Sequence, residues 1–373
     1  MSQKSWWTFK QIQRYSLAVI LIFICCIVSG CSSSSDEKTS FSQRQSIIGD
    51  TSITITDSSG TSHTFNHPVE RIICQNGLAA EILVDIGATD QIVGVTDTAL
   101  KEQYLMNQIP HAKSIGEIRS PDMEKIVALH PDVFIAYGDS GSIPGNIDKI
   151  RAANITIIYT KVYDIRDIAN ETRMLGKITG REANAERLID FTEKYQSLIE
   201  SRTENISQSE SPRVYLEQLS DYMATHQGSS GDYVLSYVHA QNIAGNISVP
   251  YAIVSPEWVI EQNPDIIIKQ VTRGKGVSAV RQDIINRAGF SRIRAVQDQR
   301  VYAFSSSMLS GAREIIGILY IAKAVHPDRF TDIDPEEVLK EYANTFMTGS
   351  DLPGSFDPQL PKTSGNWNQS GGM

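Results

Sequence analysis

Glu124-Lys-Ile-Val-Ala-Leu-His-Pro-Asp-Val-Phe-Ile135 lies in register on Glu257-Trp-Val-Ile-Glu-Gln-Asn-Pro-Asp-Ile-Ile-Ile268, at a constant offset of 133 residues. In each copy a glutamate opens a helical stretch, proline stops it, aspartate makes the turn and an apolar strand follows. One such segment is generic. Two in register, each with an acid at the helix start, point to an internal duplication and so to two similar lobes.

The surrounding sequence has the same alternation. Short apolar runs near 71–74, 91–95, 132–136 and 155–159 are separated by helix-length segments near 78–87, 121–130 and 144–153. A second series has strands at 214–217, 265–269 and 300–304, with helices near 231–241, 256–262, 278–288 and 310–325. Strands joined by helical crossovers build parallel sheets covered on both faces. Ahead of them, Ser52-Ile-Thr-Ile-Thr56, Asp57-Ser-Ser-Gly60 and Ser62–Phe65 read as strand, turn and returning strand. Between the two series Ile165, Ile168, Leu175, Ile178, Leu188, Phe191, Tyr195 and Leu198 recur at helical spacing, with Gly176 and Gly180 marking a place for a kink or break. Asp334-Pro335 opens a last helix to about Phe346. The expected fold is α/β: two Rossmann-like lobes with central parallel sheets, joined by one long rigid helix.

The ends carry different signals. Lys4, Trp6, Trp7, Lys10 and Arg14 precede an apolar run that ends at Val28-Ser-Gly-Cys31. That run is shorter than the roughly twenty residues of a bilayer-spanning helix, which favours a secretory signal over a span. Val28–Cys31 resembles a lipobox, which makes Cys31 the expected site of lipidation; an uncleaved signal anchor is the alternative. The expected organisation is a lipoprotein signal over 1–30, a flexible tether over 31–50, an N-terminal lobe over 51–163, a linker helix over 164–205, a C-terminal lobe over 206–347 and a disordered tail over 348–373. The body then lies on the extracytoplasmic face of the cell membrane. Of the cysteines at 25, 26, 31 and 74, only Cys74 remains in the body, in the apolar stretch Arg71-Ile-Ile-Cys74, where a buried core thiol outweighs a nucleophile.

The whole chain of 373 residues has a formal net charge of −9. Residues 1–30 hold three bases and no acid, so the exported part stands at −12. Nucleic-acid binding needs clustered Lys and Arg and is excluded as a role.

Four segments in order carry a family resemblance: Pro68–Ile72 with Ala79–Ala88 and Ile92–Thr96; Met123–Ile135; Ser255–Ile268; and Arg300-Val-Tyr302. From about Ile53 to Phe346 the chain resembles the class III periplasmic binding proteins, the substrate-binding proteins of ABC importers for iron-siderophores, haem and cobalamin. The resemblance implies a binding protein rather than an enzyme, with a dimeric permease and its cytoplasmic ATPase as partners, a lipid-anchored position at the membrane and no cofactor of its own. It also implies that Glu124 and Glu257 are the acids on the lobe tips that pair with permease arginines. The plainer role for each is a favourable interaction with its helix N-terminus, worth about 0.3–1 kcal/mol.

Open α/β sheets bind ligands at the carboxyl ends of their strands. The ligand-binding candidates there are Gln75, Asn76, Arg119, Tyr137, Tyr222, His226, Arg273 and Arg313, with Trp258 as either a cleft wall or a core residue. Tyr137 and Tyr222 suit stacking on a flat chelate or corrin. Arg119, Arg273, Lys275 and Arg313 would make the cleft locally basic and suit an anionic ferric chelate, a corrinoid phosphate or an oxyanion. Ser310-Gly-Ala-Arg313 resembles the Ser-Gly-Pro-Arg of a branch of the family, with Ala312 in place of proline. A bare transition metal needs several converging His and carboxylate ligands, and only His226 is placed at the cleft. An iron-siderophore-type complex is the first expectation, with a corrinoid and then molybdate or tungstate as alternatives. An exported α/β hydrolase is the alternative of another class, but Gly-x-Ser-x-Gly, His-Glu-x-x-His and the Walker P-loop are missing from the sequence.

Overall fold

The computed structural model describes residues 52–138, 143–162, 165–272, 276–309 and 311–347. The signal and tether, Cys31, Arg273, Lys275 and the tail from 348 lie outside the described residues.

A hairpin of β1 (Ile53–Thr56) and β2 (Ser62–Phe65) leads the body. Its turn forms because Asp57 Oδ1 accepts the Ser59 and Thr61 N–H groups at 2.9 and 3.1 Å. The first parallel sheet contains β3 (Ile72–Cys74), β4 (Ile92–Val95), β5 (Lys113–Ser114), β6 (Val133–Tyr137) and β7 (Thr156–Thr160), in the order β5-β4-β3-β6-β7. The second contains β8 (Arg213–Glu217), β9 (Gln241–Asn242), β10 (Ile266–Val271) and β11 (Val301–Ser305), in the order β11-β10-β8-β9. The orders correspond: β3 and β8 start the sheets, β4 and β9 pair on one side of them, and β6-β7 and β10-β11 on the other. The duplication read from Glu124 and Glu257 is therefore a duplication of topology.

The helices of the first lobe are α1 (Gly77–Asp85), α2 (Gln103–Gln108), α3 (Met123–Ala128) and α4 (Ile147–Ala152). Residues 164–205, expected as one linker helix, hold two: α5 (Ile168–Thr179) and α6 (Glu182–Thr203). Gly180 makes the break, with a left-handed φ of 68° that lets Arg181 N–H return to Gly176 O at 2.8 Å. Gly176 does a different job, since a Cβ there would lie 2.4 Å from that of Ala185. It allows α5 and α6 to approach closely and does not interrupt the helix. α5 belongs to the first lobe, receiving Val69 N–H on Ile178 O and the Gln91 amide on Thr179 O. The connecting helix is α6, 22 residues and so about 33 Å long.

Beyond it follow α7 (Ser230–Tyr237), α8 (Pro256–Gln262), α9 (Val277–Ile285), α10 (Arg294–Gln297), α11 (Glu314–Val325) and α12 (Pro335–Phe346). α12 starts as expected, with Asp334 accepting Glu336 N–H at 3.0 Å and Pro335 in the first turn. No described helix is long and apolar enough to cross a membrane.

Strands buried on both faces divide the core. Ile72, Cys74, Val133 and Ile135 face one cluster, Ile73, Phe134 and Ala136 another. Cys74 is buried, and its thiol pKa is driven up by desolvation, so it is a core residue and a poor nucleophile. The first cluster continues through Leu188 and Phe191 of α6 to Ile315, Leu319 and Tyr342. The lobes thus share one core. The Tyr342 hydroxyl donates to Asp85 of α1, so α12 also reaches the first lobe.

Burial pushes the Asp85 carboxyl up to about 8 from 3.8. Between those values the folded protein holds a proton that the unfolded chain has released, so stability falls as pH rises, by up to about 1.4 kcal/mol per unit. Thermal unfolding from about pH 5 to about pH 9 should show that decline in the natural protein and a flatter profile in Asp85→Asn. Parallel profiles would remove Asp85 as the cause.

Candidate functional site

The two acid-bearing helices are alike in their bonding. Asp122 Oδ1 accepts Glu124 and Lys125 N–H at 3.0 and 3.2 Å, and Ser255 Oγ accepts Trp258 N–H at 3.1 Å. Both helices are followed by a left-handed residue ahead of the proline, His130 at φ 46° and Asn263 at φ 45°. The two aspartates that come next bond alike, since Asp132 Oδ2 accepts Arg71 N–H and Asp265 Oδ2 accepts Arg213 N–H, each at 2.9 Å. The two arginines return to matching helix ends, Arg71 Nε to Leu129 O at 2.9 Å and Arg213 Nη1 to Gln262 O at 2.6 Å. Helix, turn and strand are therefore locked together in both lobes, which holds Glu124 and Glu257 in equivalent first turns. Both are exposed and have no ion-pair partner among the described residues.

At the carboxyl ends of the first sheet, Gln75 and Asn76 are fully buried. Gln75 is a strut: its Nε2 donates to Ile118 O at 2.9 Å and its Oε1 accepts Tyr137 N–H at 3.1 Å. It shapes the site from below and is not itself placed to touch a ligand. Asn76 Oδ1 caps α1 through Leu78 N–H at 3.0 Å, while its buried Nδ2 has no hydrogen-bond partner. Arg119 is exposed on its loop and Tyr137 is half-buried at the end of β6.

In the second lobe the structure redistributes the candidates. Arg313 is withdrawn from solvent, 2% exposed. Its Nη1 lies 2.8 Å from Glu81 Oε2, Nη2 donates to the Tyr104 hydroxyl at 2.7 Å and Nε to Ser307 O at 2.9 Å. The Tyr104 hydroxyl donates in turn to Glu81. Arg313 is thus a crossbar between lobes, its charge balanced by Glu81 of α1, and not a cation presented to a ligand. With Arg273 and Lys275 outside the described residues, Arg119 alone of the four expected cleft cations stands exposed among those described.

Trp258 resolves as a packing residue, its ring 6.4 Å from that of Tyr215 in the second lobe's own apolar cluster. One face of Tyr222 carries the Arg287 guanidinium at 4.3 Å, and its ring edges onto Phe290. His226 keeps a buried Nδ1 without a partner and lies 6.1 Å, ring to ring, from Tyr251. Among the described residues no three His, Cys, Asp or Glu side chains converge to hold a metal ion.

Tyr251 is the residue that reading the sequence alone missed. With Leu219, Val249 and Ile253 it makes up four of the five exposed large apolar side chains among the described residues, at 46, 63, 69 and 63% exposure for Leu219, Val249, Tyr251 and Ile253. These residues lie on two loops that pair through Ala224 N–H to Ala252 O and Val254 N–H to Tyr222 O, at 2.9 and 3.0 Å. Large apolar side chains exposed together on paired loops suit a binding surface. The signal was available in the 133-residue offset, which puts Tyr251 opposite Ile118, the residue whose carbonyl Gln75 holds.

Comparison with known proteins matches residues 72–307 to the family model described as periplasmic binding protein. An uncharacterized ABC transporter substrate-binding lipoprotein, YvrC of Bacillus subtilis, is 26% identical over 86% of this chain and 99% of its own length. The vitamin B12-binding protein of Vibrio cholerae is 28% identical over 65% of this chain and 83% of its own. The solved structure of Haemophilus influenzae MolA bound to molybdate superposes with a TM-score of 0.65 at 21% identity, covering 79% of this chain and 97% of that one. Two duplicated α/β lobes, a helical connection between them and a family model covering more than half the chain lead to one conclusion: the chain belongs to the periplasmic binding protein family, as the class III substrate-binding component of an ABC importer.

Proposed function

We propose that this protein captures a bulky organic metal complex, of the ferric-siderophore or corrinoid type, between its lobes and delivers it to a dimeric permease driven by a cytoplasmic ATPase. The observation that carries this reading is the apolar rim of Leu219, Val249, Tyr251 and Ile253 beside His226. A hydrated oxyanion such as molybdate is bound by converging N–H donors and cations. An organic chelate or corrin instead offers an apolar periphery to aromatic and aliphatic walls. The exposed Arg119 suits a carboxylate or phosphate on such a ligand.

Export and lipidation at Cys31 complete the proposal, supported by the lipobox-like Val28–Cys31 and by a relative named as a lipoprotein. The lipid holds the protein near its permease. Glu124 and Glu257, fixed in equivalent first turns, are the docking acids.

Titration with cyanocobalamin, a ferric hydroxamate chelate and molybdate, followed by tryptophan fluorescence, tests the ligand class. Saturable binding of one of the first two supports the reading, and binding of molybdate alone refutes it. Tyr251→Ala should weaken the productive complex about tenfold without lowering the unfolding temperature, because an exposed aromatic anchor acts in binding and not in the core.

A further inference from the structure

Against the 218–220 carbonyls lies a buried charge network that ligand contact does not explain. Glu217, at the end of β8, is fully buried, and its carboxylate meets two cations: Lys269 Nζ at 2.8 Å from Oε1, and Arg287, whose Nη1 and Nη2 donate to Oε2 and Oε1 at 2.7 and 2.8 Å. Asp221, exposed at the surface, adds a second acid at 3.3 Å from Arg287 and 3.7 Å from Lys269. The group is neutral in sum. Buried charge of this kind is weak evidence of a stabilising role, because a well-packed apolar replacement is often as stable.

The donor directions show what the network holds. An ammonium has three protons. Those of Lys269 are accounted for by Glu217, by Gln218 O at 2.6 Å and by Ser220 O at 2.9 Å, with Leu219 O at 3.5 Å. The side chain thus gathers the carbonyls of one loop from below. Arg287 covers the ring of Tyr222, a non-glycine residue at φ 58°. That left-handed conformation persists only where its surroundings enforce it. Tyr222 O and Ala224 N–H then bond Val254 and Ala252, which flank Ile253 and follow Tyr251.

We propose that Glu217, Lys269 and Arg287 are positioning residues that fix the 218–224 loop and, through it, the apolar rim of Leu219, Tyr251 and Ile253 in ligand-ready form. The proposal rests on the reading of this rim as the ligand wall.

The test compares Lys269→Met, which leaves the Glu217–Arg287 pair intact, with the apolar triple variant Glu217→Leu/Lys269→Met/Arg287→Leu. Amide hydrogen exchange over 218–224 and 251–254, unfolding temperature, and titration with cyanocobalamin and a ferric hydroxamate chelate are read together. The expected result is a folded protein whose amides in these two segments exchange at least about tenfold faster than in the natural protein, with those of β6 unchanged and probe affinity lowered by a similar factor. Unchanged exchange in these segments overturns the proposal. So does failure of both variants to fold, which would make the network a requirement of the fold. If the natural protein binds neither probe, the ligand reading fails while the exchange comparison still decides the positioning role.

Discussion

Replacing Glu124 and Glu257 together by alanine should abolish uptake and leave ligand affinity unchanged. An exposed ion pair contributes only about 0.2–1 kcal/mol, so the acids are not expected to matter through attraction in solution. Their effect is expected in the docked complex. Each would meet a cation in a closing interface, and truncating one partner of a desolvated charge pair costs about 2–5 kcal/mol, because the other charge is left buried and unpaired. Two such losses in series exceed what a transient complex can absorb, while either single change should leave partial uptake. The fold supports the assignment by its symmetry: Asp122 and Ser255 cap the two helices, and Asp132 and Asp265 tie both to the preceding strands. Transport in cells carrying the double variant, with ligand titration of the purified protein alongside, is the check. Undiminished uptake would remove the docking role and leave the acids as helix-start residues.

Arg313→Ala should lower stability by about 3–5 kcal/mol, the usual cost of breaking a buried ion pair from one side. The guanidinium and Glu81 are 3% and 7% exposed, so truncation leaves a carboxylate in the shared core without the cation that balances it. The double change Glu81→Leu/Arg313→Leu should recover most of the loss, since no charge is then left buried. Denaturant unfolding of both variants measures this. A small effect of Arg313→Ala would mean that water or movement of α1 solvates Glu81 and that the crossbar does not hold the lobes together.

The residues most legible in the sequence were those whose role is local. Pro131-Asp132 and Pro264-Asp265 announce a helix stop and a strand start, and Asp57–Gly60 announces a turn, because proline and aspartate act within a few residues of themselves. α8 is found over Pro256–Gln262 as read, and β6 and β10 follow their aspartates. Short elements such as α2, β5, β9 and α10 left no period to detect. Gly176 and Gly180 looked alike in sequence, yet one serves close packing and the other a left-handed turn, a difference set by what faces each.

The site was less legible for the same reason. Arg313 resembled a ligand cation because its partner Glu81 lies in the other lobe, and no local pattern joins them. Gln75 stood in a ligand-binding loop by position, but its amide is consumed by Ile118 and Tyr137. Tyr251 was hidden in a stretch without periodicity, and its exposure emerges only when Ala252 and Val254 pair with 222–224. Of the four cations expected at the cleft, Arg119 is exposed and Arg313 buried, while Arg273 and Lys275 lie outside the described residues, and the exposed apolar side chains of the second lobe were not foreseen.

Native mass spectrometry of the protein purified from its own host, with Tyr251→Ala beside it, tests the central claim most directly. The expected result is a noncovalent adduct whose exact mass and isotope pattern match a ferric chelate or a corrinoid, diminished in the variant. An adduct matching molybdate or tungstate, retained undiminished in Tyr251→Ala, would contradict it.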